Sequence, residues 1–371
     1  MSGRFVAAHA AAPDWEIAAS QCLAALGPQP SHGLGFLYAT EAFAPSFGDL
    51  HAYVRERTGV RAWIGTVGVG ICAPGTVYFE EPALSLMVAP LEPDSFRLLA
   101  RRGARDEVLS HAERAWAERH GARFAVVHAD PRTEQLGRAI HGLAGALDGF
   151  LVGGLTSSRG CFPQVAETVG EGGLSGVLLS GAVPVATALS QSCAPIGPVH
   201  EITACEQNLL LELDGRPALE VFLEDAGELL ARDLRRAAGS IFAALPVRGT
   251  DTADYLVRNL LGIDPERKLI AIGERVGPGD SLLWVRRDQA AARQDFQRML
   301  RDLARRAGHS IKGGLYYSCL ARGPNLFATE AEELAMIREV LGDFPLTGFY
   351  CNGEISHDRL YGYTGVLTLF L

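Results

Sequence analysis

At 371 residues the chain is long enough for two domains or one large one, and 48% apolar with 21% charged residues is the make-up of a globular protein with an ample core. A net charge of −9 without any basic block argues against a general nucleic-acid binder, which needs clustered Lys and Arg to displace counterions. No stretch reaches the ~20 apolar residues of a membrane-spanning helix, the N-terminus lacks the apolar centre of a secretory signal, and the seven cysteines show no CxxC spacing, so a reduced, cytoplasmic protein that does not engage membranes is expected.

Trp15, Ala18, Ala19, Cys22, Leu23 and Leu26 recur at helical spacing behind Asp14, a candidate N-cap, and Gly27-Pro28 ends that helix. A buried strand is expected over Gly33–Tyr38, a helix over Asp49–Thr58 with Leu50, Tyr53 and Val54 inward, and a second strand over Ala62–Val69. The turn Ala73-Pro74-Gly75 leads to a third strand over Pro82–Val88. The same order recurs. Ala122–His128 reads as a strand ending at Asp130, Glu134–Ala146 as a helix, and Phe150–Leu155 and Gly173–Leu179 as strands.

A third instance comes at the end of the chain, with strands at Leu315–Tyr317 and Leu346–Tyr350, a helix over Glu330–Leu341 and a closing strand over Tyr363–Phe370. Gly65, Gly153 and Gly348 hold matching places in the three second strands, and Cys72-Ala73-Pro74 and Cys161-Phe162-Pro163 hold matching turns. The expectation is an α+β fold of layered mixed and antiparallel sheets with covering helices, built from repeated β-α-β-β units whose last two strands form a hairpin.

Between the second and third instances, Val185–Asp214 reads as a β-pair closed by the turn signal Asp214-Gly215. Lys268–Gly273 and Ser281–Val285 read as a strand pair around a Gly-Pro-Gly turn. Phe296, Met299, Leu300, Leu303 and Ala307 mark an amphipathic helix ended by Gly308. The composition shifts near Arg216-Pro217, which marks a domain boundary. The locally basic stretches Arg101–Arg105 and Arg298–Arg306 sit beside acids and read as solvated helix faces.

Polar clusters follow the strands of the last unit: Ser318, Cys319, Arg322 and Asn325 after the first, and Cys351, Asn352 and Glu354 after the second. Arg322 is a planar fork suited to a carboxylate, and Glu354 accepts from an ammonium. Together they suit an amino-acid-like ligand, or they pair with each other as a structural ion pair. Asn325 and Asn352 donate and accept and serve either arrangement. Gly154, Thr156 and Ser157 at the end of Phe150–Leu155 and just beyond it, and Gln191 and Cys193 in the Gln191–Gly197 loop, end other apolar runs, so these four segments are expected to converge on one ligand pocket. Cys193, Cys319 and Cys351 are buried small hydrophobes or, with His309 or His357 as base, catalytic thiols. The histidines form no metal motif, and the glycine-rich stretches Gly68–Gly75 and Gly273–Gly279 lack the Lys-Ser/Thr of a phosphate loop.

Several of these blocks together resemble the FIST family, the paired FIST-N and FIST-C domains of small-ligand sensory proteins. They are DGFLVGGLTSS at Asp148–Ser158, SQSCAPIGP at Ser190–Pro198, ELDGRPALEVF at Glu212–Phe222, GGLYYSCLARGPNLF at Gly313–Phe327, PLTGFYCNGEI at Pro345–Ile355 and GYTGVL at Gly362–Leu367. The resemblance implies a FIST-N domain over 1–215, a FIST-C domain over 216–371, a small-molecule ligand and a signalling protein as partner. It departs from the family pattern where Ser192 and Ala194 flank Cys193 and where Tyr361 replaces a common His, both in expected pocket loops. Some FIST proteins are similar to haem-binding gas sensors; haem here would need His200, His357 or a pocket cysteine as axial ligand. Alternatives to a ligand sensor are a thiol-dependent enzyme and a protein-interaction scaffold.

Overall fold

In a computed structural model, the structure describes residues 4–29, 32–103, 107–227, 240–247, 254–308, 310–329 and 331–371. Arg105, His309 and Glu330 lie outside the described residues. The chain forms two compact units, residues Met1–Ser190 with Gln297–Leu371, and residues Gln191–Phe296. Among the described residues are 7 helices and 26 strands, an α+β fold of mixed and antiparallel sheets.

The first unit starts with β1 (Val6–Ala11), α1 (Trp15–Leu26), β2 (Leu34–Thr40), α2 (Phe47–Thr58) and β3 (Ala62–Gly68). A hairpin, β4 (Gly70–Ala73) and β5 (Thr76–Phe79), precedes β6 (Ala83–Ala89). The next stretch has β7 (Phe96–Arg102), α3 (His111–His120), β8 (Phe124–Ala129), α4 (Leu136–Leu147) and β9 (Phe150–Leu155). It continues with the hairpin β10 (Gln164–Ala166) and β11 (Thr168–Gly170), and then β12 (Leu174–Leu179). After β13 (Val185–Gln191) the chain passes through the second unit.

That second unit holds β14 (Cys193–Glu206), β15 (Leu209–Leu213), β16 (Arg216–Pro217), α5 (Ala218–Ala226), β17 (Ile241–Pro246), β18 (Tyr255–Arg258), β19 (Leu260–Asp264), β20 (Leu269–Ile272) and β21 (Ser281–Arg287). Helix α6 (Gln289–Ala307) carries the chain on to β22 (Gly313–Cys319), α7 (Glu332–Leu341) and β23 (Leu346–Cys351). The hairpin β24 (Glu354–His357) and β25 (Arg359–Tyr361) and the strand β26 (Thr364–Phe370) complete the first unit.

Three pairings in the first unit share one pattern. β2 and β3, β8 and β9, and β22 and β23 are parallel neighbours joined through a helix, as parallel strands require a crossover. β6, β12 and β26 then lie antiparallel to β2, β8 and β22. This corrects the expected β-α-β-β unit, in which the last two strands pair with each other. The closing strand pairs instead with the first strand, and a separate short hairpin stands between. Each hairpin extends a neighbouring sheet: β10–β11 adds to β3, β24–β25 to β9, and β4–β5 to β23. With β1 on β6, β7 on β12 and β13 beside β26, three six-stranded sheets result. The two Cys-X-Pro turns are not equivalent, because Cys72 lies buried within β4 whereas Cys161 is exposed ahead of β10.

Strand alternation sorts side chains to two faces. Phe36, Tyr38, Val126, Val152, Leu315, Tyr317 and Phe349 share a core where the three sheets meet. The alternate residues Leu37, Ala39, Trp63 and Val67 pack under α1 and α2, and Val127, Leu151 and Leu155 pack with residues of α3 and α4. On the shared core, Tyr38, His128 and Tyr317 occupy equivalent positions, and the Tyr38 hydroxyl lies 2.9 Å from both His128 Nε2 and the Tyr317 hydroxyl. Burial pushes His128 down to about 3, so this ring is neutral.

Gly65, Gly153 and Gly348 face Leu37, Val127 and Tyr316 across the parallel pairs. A Cβ at any of them would lie 1.8 Å from that neighbour's carbonyl oxygen, so only glycine fits.

The second unit has an eight-stranded antiparallel sheet in the order β18-β17-β21-β14-β15-β20-β19, with β16 pairing off β15. β20 and β21, expected to pair with each other, instead pair with β15 and β19 and with β14 and β17. The Asp214-Gly215 turn joins β15 to β16, while Gln207-Asn208 closes the β14–β15 pair. The boundary expected near Arg216-Pro217 falls at β16, inside this unit.

Candidate functional site

The ends of β22, β23 and β9 and the starts of β24 and β26 meet at one edge of the first unit. β22 and β23 run in register to Cys319 and Cys351. Gly154 packs against Cys351, where a Cβ would stand 2.2 Å from Sγ. β24 pairs with β9 so that Glu354 faces Gly154. Three of the four expected segments, Gly153–Ser157, Ser318–Asn325 and Cys351–Glu354, therefore share a neighbourhood.

The fourth belongs to the second unit. There the Gln191 amide donates to Asp295 Oδ2 at 2.7 Å, and the Tyr255 hydroxyl donates to the Cys193 carbonyl.

Arg322 follows β22 and is fully buried. Its carboxylate partner is Glu333 on α7, not Glu354: Nε and Nη2 lie 2.9 and 2.8 Å from Glu333 Oε1. Nη1 donates to the Ser190 carbonyl at 3.4 Å, and the guanidinium lies over the Phe327 ring at 5.4 Å. Burial would lower the Arg322 pKa, but Glu333 outweighs it and the value is raised, so the cation persists. Glu333 also accepts from the Tyr316 hydroxyl at 2.5 Å and from Ser318 Oγ at 3.1 Å. Sequence reasoning missed Glu333 because a charged residue in a first helical turn reads as solvated. The signal was present: Glu333, Met336 and Ile337 are spaced i, i+3, i+4 and all three are buried.

Glu354 is fully buried, and its Oε2 accepts from the Thr364 hydroxyl at 2.7 Å and the Thr364 amide at 3.2 Å. Burial pushes its pKa up to about 8, against the pull of Thr364, Arg322 and Cys319, so the group is largely protonated at neutral pH. Cys319 is half-buried beside it, with Sγ accepting from the Tyr363 amide at 3.3 Å. Burial and then Glu354 hold the Cys319 thiol well above its ordinary value, and burial does the same at Cys351.

Neither thiol has thiolate character. Of the two histidines offered as bases, His357 is exposed with Nδ1 3.1 Å from Asp358, and His309 lies outside the described residues.

The other expected residues hold the fold together or stand at the rim. Thr156 Oγ1 lies 2.6 Å from Thr66 Oγ1, and Ser157 Oγ accepts from the Val69 amide at 3.0 Å and donates to the Tyr350 carbonyl. Asn325 and Asn352 are exposed; Asn325 Nδ2 donates to the Leu320 carbonyl at 2.7 Å. A cavity of about 340 Å³ begins next to Ser157, lined by Thr40, Glu41, Glu80, Ser158, Arg159 and Cys161.

His200 does not fit as a haem ligand. Both ring nitrogens are already engaged, Nδ1 by Asp214 at 2.6 Å and Nε2 by Asp225 at 2.8 Å. Among the described residues no group of three or more His, Cys, Asp or Glu is placed to hold a metal ion, and no helix is long and apolar enough to cross a membrane.

The model of the FIST N domain matches residues 33–216, and that of the FIST C domain matches residues 218–357. An uncharacterized protein of Mycobacterium tuberculosis (strain CDC 1551 / Oshkosh) is 31% identical over 384 aligned positions, which cover 97% of each chain. An uncharacterized protein of strain ATCC 25618 / H37Rv matches to the same extent. An uncharacterized protein of Mycobacterium bovis is 33% identical over 210 positions, 54% of this chain and 53% of that one. FIST domains are small-ligand sensory domains. With both domain models matched in order over most of its length, the chain belongs to the FIST family.

Proposed function

We propose that this protein is a cytoplasmic sensor of a small, amino-acid-like ligand, bound at the Cys319–Glu354 edge of the first unit and reported to a signalling protein. The observation that carries the reading is the buried charge set itself: one guanidinium, Arg322, among two carboxyl groups, with Glu354 raised to about 8. Buried ionisable groups are costly, and strongly shifted ones gather at sites that do chemistry or bind. All seven cysteines are free thiols, in keeping with a reducing compartment.

Within this reading Arg322 is a positioning residue, because Glu333 already holds it. The ligand ammonium goes to Glu354, and the exposed amides of Asn325 and Asn352 receive the carboxylate end. Pairing with an ammonium requires Glu354 to ionise, so binding releases a proton below about pH 8 and affinity rises with pH up to that point.

The test is a thermal-shift screen of free amino acids near neutral pH and again near pH 9. A ligand at ~100 times its Kd adds about 2.7 kcal/mol of stability. A hit that strengthens at the higher pH and is lost in Glu354→Gln supports the site. A screen with no amino acid raising Tm at millimolar concentration rejects the ligand class.

A further inference from the structure

In the second unit, His200 of β14 stands between two carboxylates on different elements. Nδ1 lies 2.6 Å from Asp214 Oδ2 in the β15–β16 turn, and Nε2 lies 2.8 Å from Asp225 Oδ2 near the end of α5. The ring is buried. A neutral imidazole carries one N–H and one lone pair, so it can satisfy only one of two ionised carboxylates. Both contacts are hydrogen bonds only when His200 is an imidazolium. Close approach on the α5 side depends on Gly197, where a Cβ would lie 2.1 Å from Asp225 Oδ2.

We propose that His200 is a proton-operated latch that fastens the end of α5 to β14 when charged and releases it when neutral. The two sides of the clamp are unequal. Asp214 is anchored a second time, since its Oδ1 accepts from the Glu201 amide at 2.8 Å. For the Asp225 side chain, the bond to His200 is the one hydrogen bond seen among the described residues. After deprotonation the remaining N–H stays with the anchored Asp214, and a ring lone pair faces the Asp225 carboxylate. The side that opens is therefore α5.

Among the described residues, the charged groups around the ring are few. From the turn come Asp214 and Arg216; from α5 come Asp225, Glu224 and Glu220; from β14 itself comes exposed Glu201. Arg216 pairs with Glu224 at 2.9 Å, and Lys268 pairs with Glu220 at 2.6 Å. On β21 the residue paired with His200 is apolar Leu282.

Burial would lower the His200 pKa, but the hydrogen bonds it donates to Asp214 and Asp225 outweigh it, and the net value lies above the ordinary 6.5. The latch is thus fully closed below that value and lost as pH rises through the raised one. Opening is local, because Leu219, Val221 and Phe222 stay buried, with Phe222 edge-on to Trp284 at 4.9 Å.

The full chain, labelled with ¹⁵N-histidine, is titrated between about pH 6 and about pH 9, and hydrogen exchange of the α5 peptide is followed over the same range after correction for intrinsic rates. The expected result is an imidazolium spectrum with both nitrogens protonated above the ordinary histidine range, and protection of α5 falling about tenfold as that signal disappears. Asp225→Asn should lower the His200 midpoint and flatten the pH dependence of α5 protection. His200→Gln should flatten it too, and if that variant does not fold, Asp225→Asn carries the same test with the histidine in place. A single neutral tautomer near pH 6, or an α5 protection profile equal in wild type and Asp225→Asn, overturns the latch.

Discussion

Replacing Arg322 by Ala removes the cation from a site where two carboxyl groups and two hydroxyls have been arranged around it. Glu333 keeps its bonds from Tyr316 and Ser318 but loses both contacts with the guanidinium, at 2.9 and 2.8 Å, inside a core where neither partner is more than 1% exposed. Stranding one member of a buried pair costs roughly 3–5 kcal/mol. The lost contact with the Phe327 ring, desolvated here, adds up to about 2 kcal/mol, so a loss at or above the upper end of that range, about 5 kcal/mol, is expected. That is a large part of the ~5–15 kcal/mol that holds a typical protein folded.

Urea denaturation followed by far-UV circular dichroism measures the loss as a lower midpoint at unchanged slope. Arg322→Lys keeps the charge but not the fork, and should lose roughly 1–2 kcal/mol. The pair Arg322→Met with Glu333→Leu should cost less than the two single changes summed, because no charge is left unpaired, although the Tyr316 and Ser318 hydroxyls lose Glu333 as acceptor. A single Arg322→Ala loss below about 1 kcal/mol, or a double variant as unstable as the sum of the two singles, would refute the account.

Three further outcomes are expected. Glu354 binds a proton more tightly in the fold than its ordinary 4.5, so stability should fall as pH rises from about 4.5 to about 8 and level off above; Glu354→Gln should remove that slope in pH-dependent denaturation curves. Native alkylation followed by peptide mass spectrometry should modify exposed Cys161 first, with Cys22, Cys72 and Cys351 protected until unfolding. Gly65→Ala, Gly153→Ala and Gly348→Ala should each destabilise by about 1–3 kcal/mol or more in the same denaturation assay, since each Cβ meets a carbonyl of the adjoining strand.

Much of the local structure was legible in the residues. The helical spacing from Trp15 to Leu26 gives α1 to the residue, and Phe296, Met299, Leu300 and Leu303 form the buried stripe of α6. Strand runs at Gly33–Tyr38, Phe150–Leu155 and Leu346–Tyr350 match β2, β9 and β23 within a residue or two. These are readings of period and turn chemistry, which depend on neighbours a few residues away.

Partner choice was not legible in that way. The same apolar pattern in β6 suits pairing with β3 or with β2, and only packing of the three sheets on one core selects β2 and sends each hairpin to a neighbouring sheet. Arg322 shows the same limit at the site. Its sequence announces a buried or ligand-facing fork, but whether the answering carboxylate is Glu354 on β24 or Glu333 on α7 depends on where a helix eleven residues on is laid against β22. His200 and Asp225, likewise, meet only because α5 folds back over Gly197. Periodicity states which side of an element is buried; which charges then find each other is decided by distances across the core, where burial makes every unpaired charge costly and so leaves few arrangements open.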